Sequence, residues 1–346
     1  MRIVLDTNAL NADLRLEKAQ GRLLIAAARN QELTLVVPEV VVLEATTLVR
    51  RKADDLAKSV TNLRREYADL GTRFEGAPLD AEETAATYET ALRRRLRDSG
   101  TSVPTPPNVP HLDVARRAMD RRKPFDAKGR GYRDTLIWLQ VLAEAAEDEV
   151  VFVTDDQDFG TADGVLDPQL ADELDAAGLA RDRVRISKSL AKVVRQYVEP
   201  SAQAITRLQA LLDDDDFRSG IYEAVNDSLL YREVERPDDE DLRTLDVTDV
   251  QIDSVQDVHG LEIDEAWVDE DRLAFNIGGT ATIEAAFYPL KSNLAGADTP
   301  DVSVHDWDWN EWVAQATKLI DVGFEGFGSY DPESSEVEMV DVWLVY

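Results

Sequence analysis

The chain has 346 residues, with 38 Lys and Arg against 69 Asp and Glu for a net charge of −31, no cysteine and three histidines. Disulfides, thiolate metal sites and cysteine nucleophiles are excluded, and three scattered histidines argue against a histidine-built zinc centre, so any metal must be a hard ion held by oxygen. The length calls for two domains, no apolar run approaches the roughly 18 residues of a membrane span, and Met1-Arg2-Ile3-Val4-Leu5 has no signal-peptide layout, which predicts a soluble, cytoplasmic protein without a membrane partner.

In chain order, Ile3 to Leu5 predicts a short buried strand and Ala19 to Asn30 a helix with one apolar face. Leu33 to Val37 predicts a second strand. Pro38 suits the first position of a long helix, running with a break to about Leu70, because its missing N–H costs nothing there. Ala81 to Asp98 predicts a further helix, and four prolines (104, 106, 107 and 110) make Ser99 to Pro110 a loop. Helices follow from His111 to about Arg122 and from Tyr132 to Ala146, then a strand at Val150 to Thr154 and an edge strand at Val184 to Ile186. Strands alternating with helices predict an α/β domain with a parallel sheet.

A boundary is expected at Glu199 and Pro200, where an apparent helix ends and the charge balance changes. Residues 1–199 hold 30 basic against 34 acidic side chains, and residues 200–346 hold 8 against 35. Residues 200–245 read as an acidic segment, helical from Ser201 to Leu230 with an interruption at Asp213 to Asp216, then a linker at Pro237 to Asp241. From 246 to 346 a small acidic antiparallel β domain is predicted, with strands at Val247 to Val258, Leu273 to Tyr288, Ala316 to Tyr330 and Val337 to Tyr346, and turns at Asp269-Glu270-Asp271 and Asp331-Pro332-Glu333. Trp307, Trp309 and Trp312 are expected in its core or an interface rather than as a base-stacking platform, since the surrounding charge repels nucleic acid.

Four acids take matching places on this frame. Asp6 follows the first strand, and Asp155 and Asp156 follow the third, at the carboxyl ends where open α/β sheets build their sites. Glu44 stands in the second turn of the helix that begins near Pro38, and Asp134 opens the helix of Leu136, Ile137 and Leu139. Taken singly, each has an ordinary explanation as a cap, turn or solvated residue. Jointly they form a carboxylate cluster with only Arg133 inside its motifs, which a bound Mg²⁺ or Mn²⁺ makes tolerable.

Arg2-Ile3-Val4-Leu5-Asp6-Thr7-Asn8, Val37-Pro38-Glu39 through Leu43-Glu44, Gly131 to Trp138 and Phe152 to Phe159 together resemble, in order, the four motifs of PIN-domain ribonucleases, in the form of a longer bacterial subgroup. The resemblance covers most of residues 1–190 and does not extend to the C-terminal part. It implies metal ligands at Asp6, Glu44, Asp134 and Asp156, polar support from Asn8 and Thr154, and a PIN-like parallel sheet flanked by helices. Asp158 and Asp155 remain alternatives for the fourth acid, whereas Glu39 turns to another helical face and reads as structural. The implied activity is metal-dependent hydrolysis of RNA, single-stranded or structured, leaving a 5′-phosphate and a 3′-hydroxyl, with water activated by Mg²⁺ or Mn²⁺. DNA remains an alternative substrate.

Positive charge for phosphate contacts gathers just before Asp134. Arg117 and Arg121 share a helical face, and Lys128, Arg130 and Arg133 lie with Gly129 and Gly131 in what reads as a flexible basic loop. Arg93, Arg94, Arg95 and Arg97 form a second cluster that also suits a helix C-terminus, and Tyr132 is the best-placed base-stacking aromatic. The acidic C-terminal part is expected either to dock on a basic protein partner or to fold back on the Arg116 to Arg133 surface in competition with RNA. The sequence is also compatible with a homo-oligomer and with a catalytically inactive PIN scaffold. An aspartyl phosphatase would need a second acid two residues after Asp6, where Asn8 stands.

Overall fold

The computed structural model describes all residues except 75–78, 161–164, 236, 296–298, 300 and 346. The chain divides into two compact units, Met1–Val198 and Glu199–Tyr346.

The first unit opens with β1 (Arg2–Leu5), α1 (Thr7–Ala12), α2 (Ala19–Arg29), β2 (Thr34–Val36) and α3 (Glu39–Asp69). It continues with α4 (Ala81–Asp98), α5 (His111–Met119), α6 (Tyr132–Glu147), β3 (Val150–Val153), α7 (Pro168–Ala176), β4 (Val184–Ser187) and α8 (Leu190–Tyr197). The four strands form a fully parallel sheet in the order β2-β1-β3-β4, with Val4 between Val36 and Phe152. Ile3, Val4, Leu5 and all of Val150–Val153 are buried, as an unbroken apolar run should be when helices cover both sheet faces.

This order has a functional consequence. The chain leaves β1 for β2 on one side and returns to place β3 on the other, so the direction of winding reverses between β1 and β3. A crevice opens outside the carboxyl ends of strands at such a point.

Two expectations for α3 are corrected. The helix is unbroken over 31 residues, and Pro38 is its capping residue rather than its first helical one. Only the early positions Val41, Val42 and Ala45, with Ala53, are buried, so tertiary packing fixes the first turns while a long solvated face extends beyond. The helices α1 and α7 were not anticipated; each is started by an aspartate, Asp6 or Asp167, whose side chain accepts from the first turn's backbone. The proline-rich stretch begins in extended form beside β2, where Ser102 N donates to Leu35 O and Val37 N donates to Ser102 O, both at 2.9 Å.

The second unit comprises α9 (Ala202–Leu211), α10 (Asp215–Leu229), β5 (Glu233–Glu235), α11 (Glu240–Thr244), β6 (Asp249–Asp269) and β7 (Arg272–Phe287). It ends with α12 (Lys291–Leu294), β8 (Ser303–Asp306), β9 (Gln315–Asp331) and β10 (Glu336–Val345). The sheet is antiparallel in the order β10-β9-β7-β6-β5, with β8 paired to β9. Asp214 explains the interruption at 213–216, because its carboxylate caps α10 through Asp216 N and Phe217 N. Leu208, Phe217, Ile221 and Val225 of the two helices share one core with Ile252, Phe275 and Ile283 of the sheet, Phe217 meeting Tyr330 edge-on at 5.1 Å.

The strand expected to stop at Val258 runs on to Asp269. Four bulges in β6 shift its register, and each slip swaps the face that its apolar residues occupy, so the alternation fades although pairing continues. The last strand begins at Glu336, one residue before the expected Val337, and runs to Val345; residue 346 lies outside the described residues. Trp307, Trp309 and Trp312 are not core residues: all three are exposed. Among the described residues no helix is long and apolar enough to cross a membrane.

Candidate metal centre

Asp6 follows β1 at the winding reversal, and its backbone N–H donates to Val153 O at 3.0 Å, which fastens it beside the end of β3. One carboxylate oxygen accepts Thr7 N and the other accepts Thr154 Oγ1, both at 2.6 Å. The same carboxylate therefore caps α1 and is clamped from the neighbouring strand. Asp6 is buried.

Glu44 lies on α3, where one of its oxygens accepts Thr7 Oγ1 at 2.6 Å and the other is paired with Arg133. Asp134 stands in the first turn of α6, near the helix's positive end. Asp156 follows β3 in a loop closed by two local bonds: Asp156 N donates to Thr154 Oγ1 at 3.1 Å, and Asp158 N donates to Asp156 Oδ1 at 2.8 Å. Asp6, Glu44, Asp134 and Asp156 all line one cleft of about 720 Å³.

The three aspartates after β3 are sorted by their partners. Asp158 accepts Lys123 Nζ at 2.6 Å, and exposed Asp155 lies 3.4 Å from Lys188 Nζ. Neither lines the cleft, whereas Asp156 does. Asn8 lines it too, while Thr154 acts from beneath through Asp6.

Electrostatics follow from burial and crowding. Burial, then repulsion from Asp134 and Asp156, pushes the Asp6 carboxyl up to about 7 against the two hydrogen bonds it accepts. Burial, with repulsion from Asp156, Glu44 and Asp158, pushes Asp134 up to about 6, and Arg133 opposes the shift. The donors are all oxygens, as a hard divalent cation requires, and the two strained carboxylates are the ones such an ion would relieve, so the set fits Mg²⁺ or Mn²⁺. Among the described residues no three acids already converge on one ion-sized point. Glu44 is paired with Arg133.

The expected basic surface is only partly as read. Arg117 is corrected: its side chain is 10% exposed, its guanidinium donates to Lys123 O, and it pairs with Glu173 at 2.9 Å. Glu173 also accepts Trp138 Nε1 at 2.8 Å, so Arg117 joins α5, α6 and α7 rather than facing solvent. The loop before α6 is built, not slack. Asp126 Oδ1 accepts Lys128 N and Arg130 N, each at 2.8 Å, and Asp126 Oδ2 accepts Arg130 Nε at 2.7 Å. Gly131 closes it at φ +132°, where a Cβ would stand 2.6 Å from Pro124 O.

Arg121, Lys128, Arg130 and Tyr132 are exposed but do not line the cleft, and Arg133 does. In the second cluster Arg93 binds Glu39 through two bonds of 2.9 and 2.6 Å, in keeping with a structural Glu39, and Arg95 donates to Leu16 O at 2.7 Å.

Thr7, Asn11, Thr47 and Arg51 also line the cleft and were missed. Thr47 and Arg51 stand three and seven residues after Glu44, so helical periodicity alone could have placed them on its face. Thr7 and Asn11 required knowing that α1 is a helix.

Residues 3–159 match a family model described as PIN domain. No curated protein and no solved structure matches the chain.

Proposed function

We propose, from a chain whose residues 3–159 form a PIN domain, that the protein is a divalent-metal-dependent nuclease that hydrolyses phosphodiester bonds of RNA. PIN domains are typically nucleases and commonly bind divalent metals. The observation that carries the proposal is the delivery of four carboxylates, from four separate elements, to one cleft at the winding reversal, with Arg51 and Arg133 beside them.

Mg²⁺ or Mn²⁺, when bound, supplies Lewis acidity that activates water and neutralises charge on the phosphoryl oxygens. Asp6, fixed by Thr7 N and Thr154 Oγ1, is the rigid anchor of the ion-holding set, and Asp134, Glu44 and Asp156 are its other members. Arg51 and Arg133 bring positive charge to a polyanion that the acids alone would repel. Asn8 and Asn11 offer neutral hydrogen bonds to sugar or phosphate oxygens.

The test incubates structured and single-stranded RNA and DNA with the full chain in Mn²⁺, Mg²⁺ or EDTA, beside Asp134→Asn. RNA cleavage to 5′-phosphate ends is expected with metal, none in EDTA, and a loss of at least about a hundredfold in the variant. Cleavage that survives EDTA, or an equally active Asp134→Asn, would remove the mechanism. A folded wild type that cuts nothing would favour the scaffold alternative.

Arg133 permits a separate check, since its side chain is 67% exposed while pairing with Glu44. In an Asp6→Asn background, Arg133→Gln should weaken RNA binding and flatten the slope of log K against log salt by about one. An unchanged slope would mean that Arg133 serves only Glu44.

A further inference from the structure

The second unit carries an aromatic surface that the nuclease proposal does not use. Trp307, Trp309 and Trp312, half of the chain's six tryptophans, are 47%, 50% and 70% exposed, and Tyr288 beside them is half-exposed. Large apolar side chains clustered at a surface mark an interaction site more often than isolated ones do. The cluster is held in place rather than loosely attached. Asp306 Oδ1 accepts Asp308 N at 2.9 Å, Asn310 Oδ1 accepts Trp312 N at 2.7 Å and Val313 N at 2.9 Å, and Lys291 N donates to Trp312 O at 3.0 Å. The Tyr288 and Trp309 rings pack with centroids 5.2 Å apart.

Charge selects the partner. Residues 288–313 contain five acids and one lysine, within a region of 8 basic and 35 acidic side chains. Nucleic acid and anionic lipid are repelled by such a surface. A cationic side chain is attracted twice, by the carboxylates and by the π-faces of the tryptophans. The surface already contains an example of that recognition: Lys291 Nζ lies 5.7 Å from the Trp307 ring centre and 3.9 Å from Asp308 Oδ1.

We propose that Trp307, Trp309 and Trp312, with Asp308 and Glu311, form a docking surface for an arginine- or lysine-rich segment of another protein. Arginine side chains stack on the exposed indoles, and the interleaved acids neutralise them. Lys291 marks the mode of contact and leaves Trp309 and Trp312 for the partner.

The test titrates a synthetic octa-arginine peptide against the full chain at about 0.15 M salt, where exposed charges are screened beyond about 8 Å. Binding is followed by tryptophan fluorescence and calorimetry. Trp309→Ala with Trp312→Ala should weaken it about tenfold with no change in net charge, each lost cation–π contact being worth a factor of about 2 to 30. Asp308→Asn with Glu311→Gln should weaken it comparably, while circular dichroism and melting of both variants stay as in the wild type. Equal affinity of wild type and the tryptophan variant would show that the peptide senses only diffuse charge, and would overturn the proposal. So would the absence of binding, or sedimentation showing that the tryptophans join two copies of the chain.

Discussion

Asp6→Asn is expected to reduce cleavage by about a thousandfold or more and, at the same time, to make the metal-free protein more stable at neutral pH. Both effects have one cause. The Asp6 carboxyl is buried, and burial with the repulsion of Asp134 and Asp156 moves it from 3.8 up to about 7. Folding therefore stabilises the protonated form, and ionising the carboxyl without a cation costs stability.

The sign follows from proton binding. Between the unfolded value and the folded one, the folded chain keeps a proton that the unfolded chain has released, so stability is complete below the unfolded value and falls as pH rises through the window. A shift of this size corresponds to at most about 4 kcal/mol. Asparagine has the same shape, can accept Thr7 N and can face Thr154, and never carries the charge. Melting of EDTA-treated wild type should fall between about pH 5 and about pH 7.5, with Asp6→Asn flattening the fall and Mn²⁺ restoring the wild type. A wild type that gains stability over that interval, or a variant less stable throughout it, would contradict this account of the site.

Arg117→Ala is expected to cost about 3 kcal/mol of stability while leaving RNA affinity within about twofold. The guanidinium is almost fully enclosed and pairs with Glu173, which also holds Trp138 and Arg122. Its removal leaves a mostly buried carboxylate with one exposed arginine and one indole N–H, so the loss falls at the low end for a broken buried pair. Chemical denaturation measures the stability and fluorescence anisotropy the affinity. A large loss of RNA affinity at unchanged stability would return Arg117 to the substrate surface.

The contrast between Asp6 and Arg117 shows which parts of the site were legible from the chain alone. Asp6 is tied to its place in the cleft by an adjacent strand: Ile3, Val4 and Leu5 must be buried, and the next residue must emerge at the strand's carboxyl end. Asp156 follows β3 in the same way, two positions beyond Thr154. Arg117 carries no such local signal, because its partner Glu173 is 56 residues away. Lys123 likewise reaches across 35 residues to occupy Asp158. Such partners are set by the packing of α5, α6 and α7, and no spacing within one segment encodes them.

The sequence by itself determined the alternation of buried strands and helices, the acids at the strand ends and the division of charge at residue 199, because burial and composition act locally along the chain. Only the tertiary structure decided that Asp156 faces the cleft while Asp155 and Asp158 are paired with lysines, that Arg51 joins Arg133 beside the acids, and that three tryptophans stand in solvent. Each of those outcomes depends on which distant side chains the fold brings to a charge or an apolar face, and that is settled by packing in three dimensions.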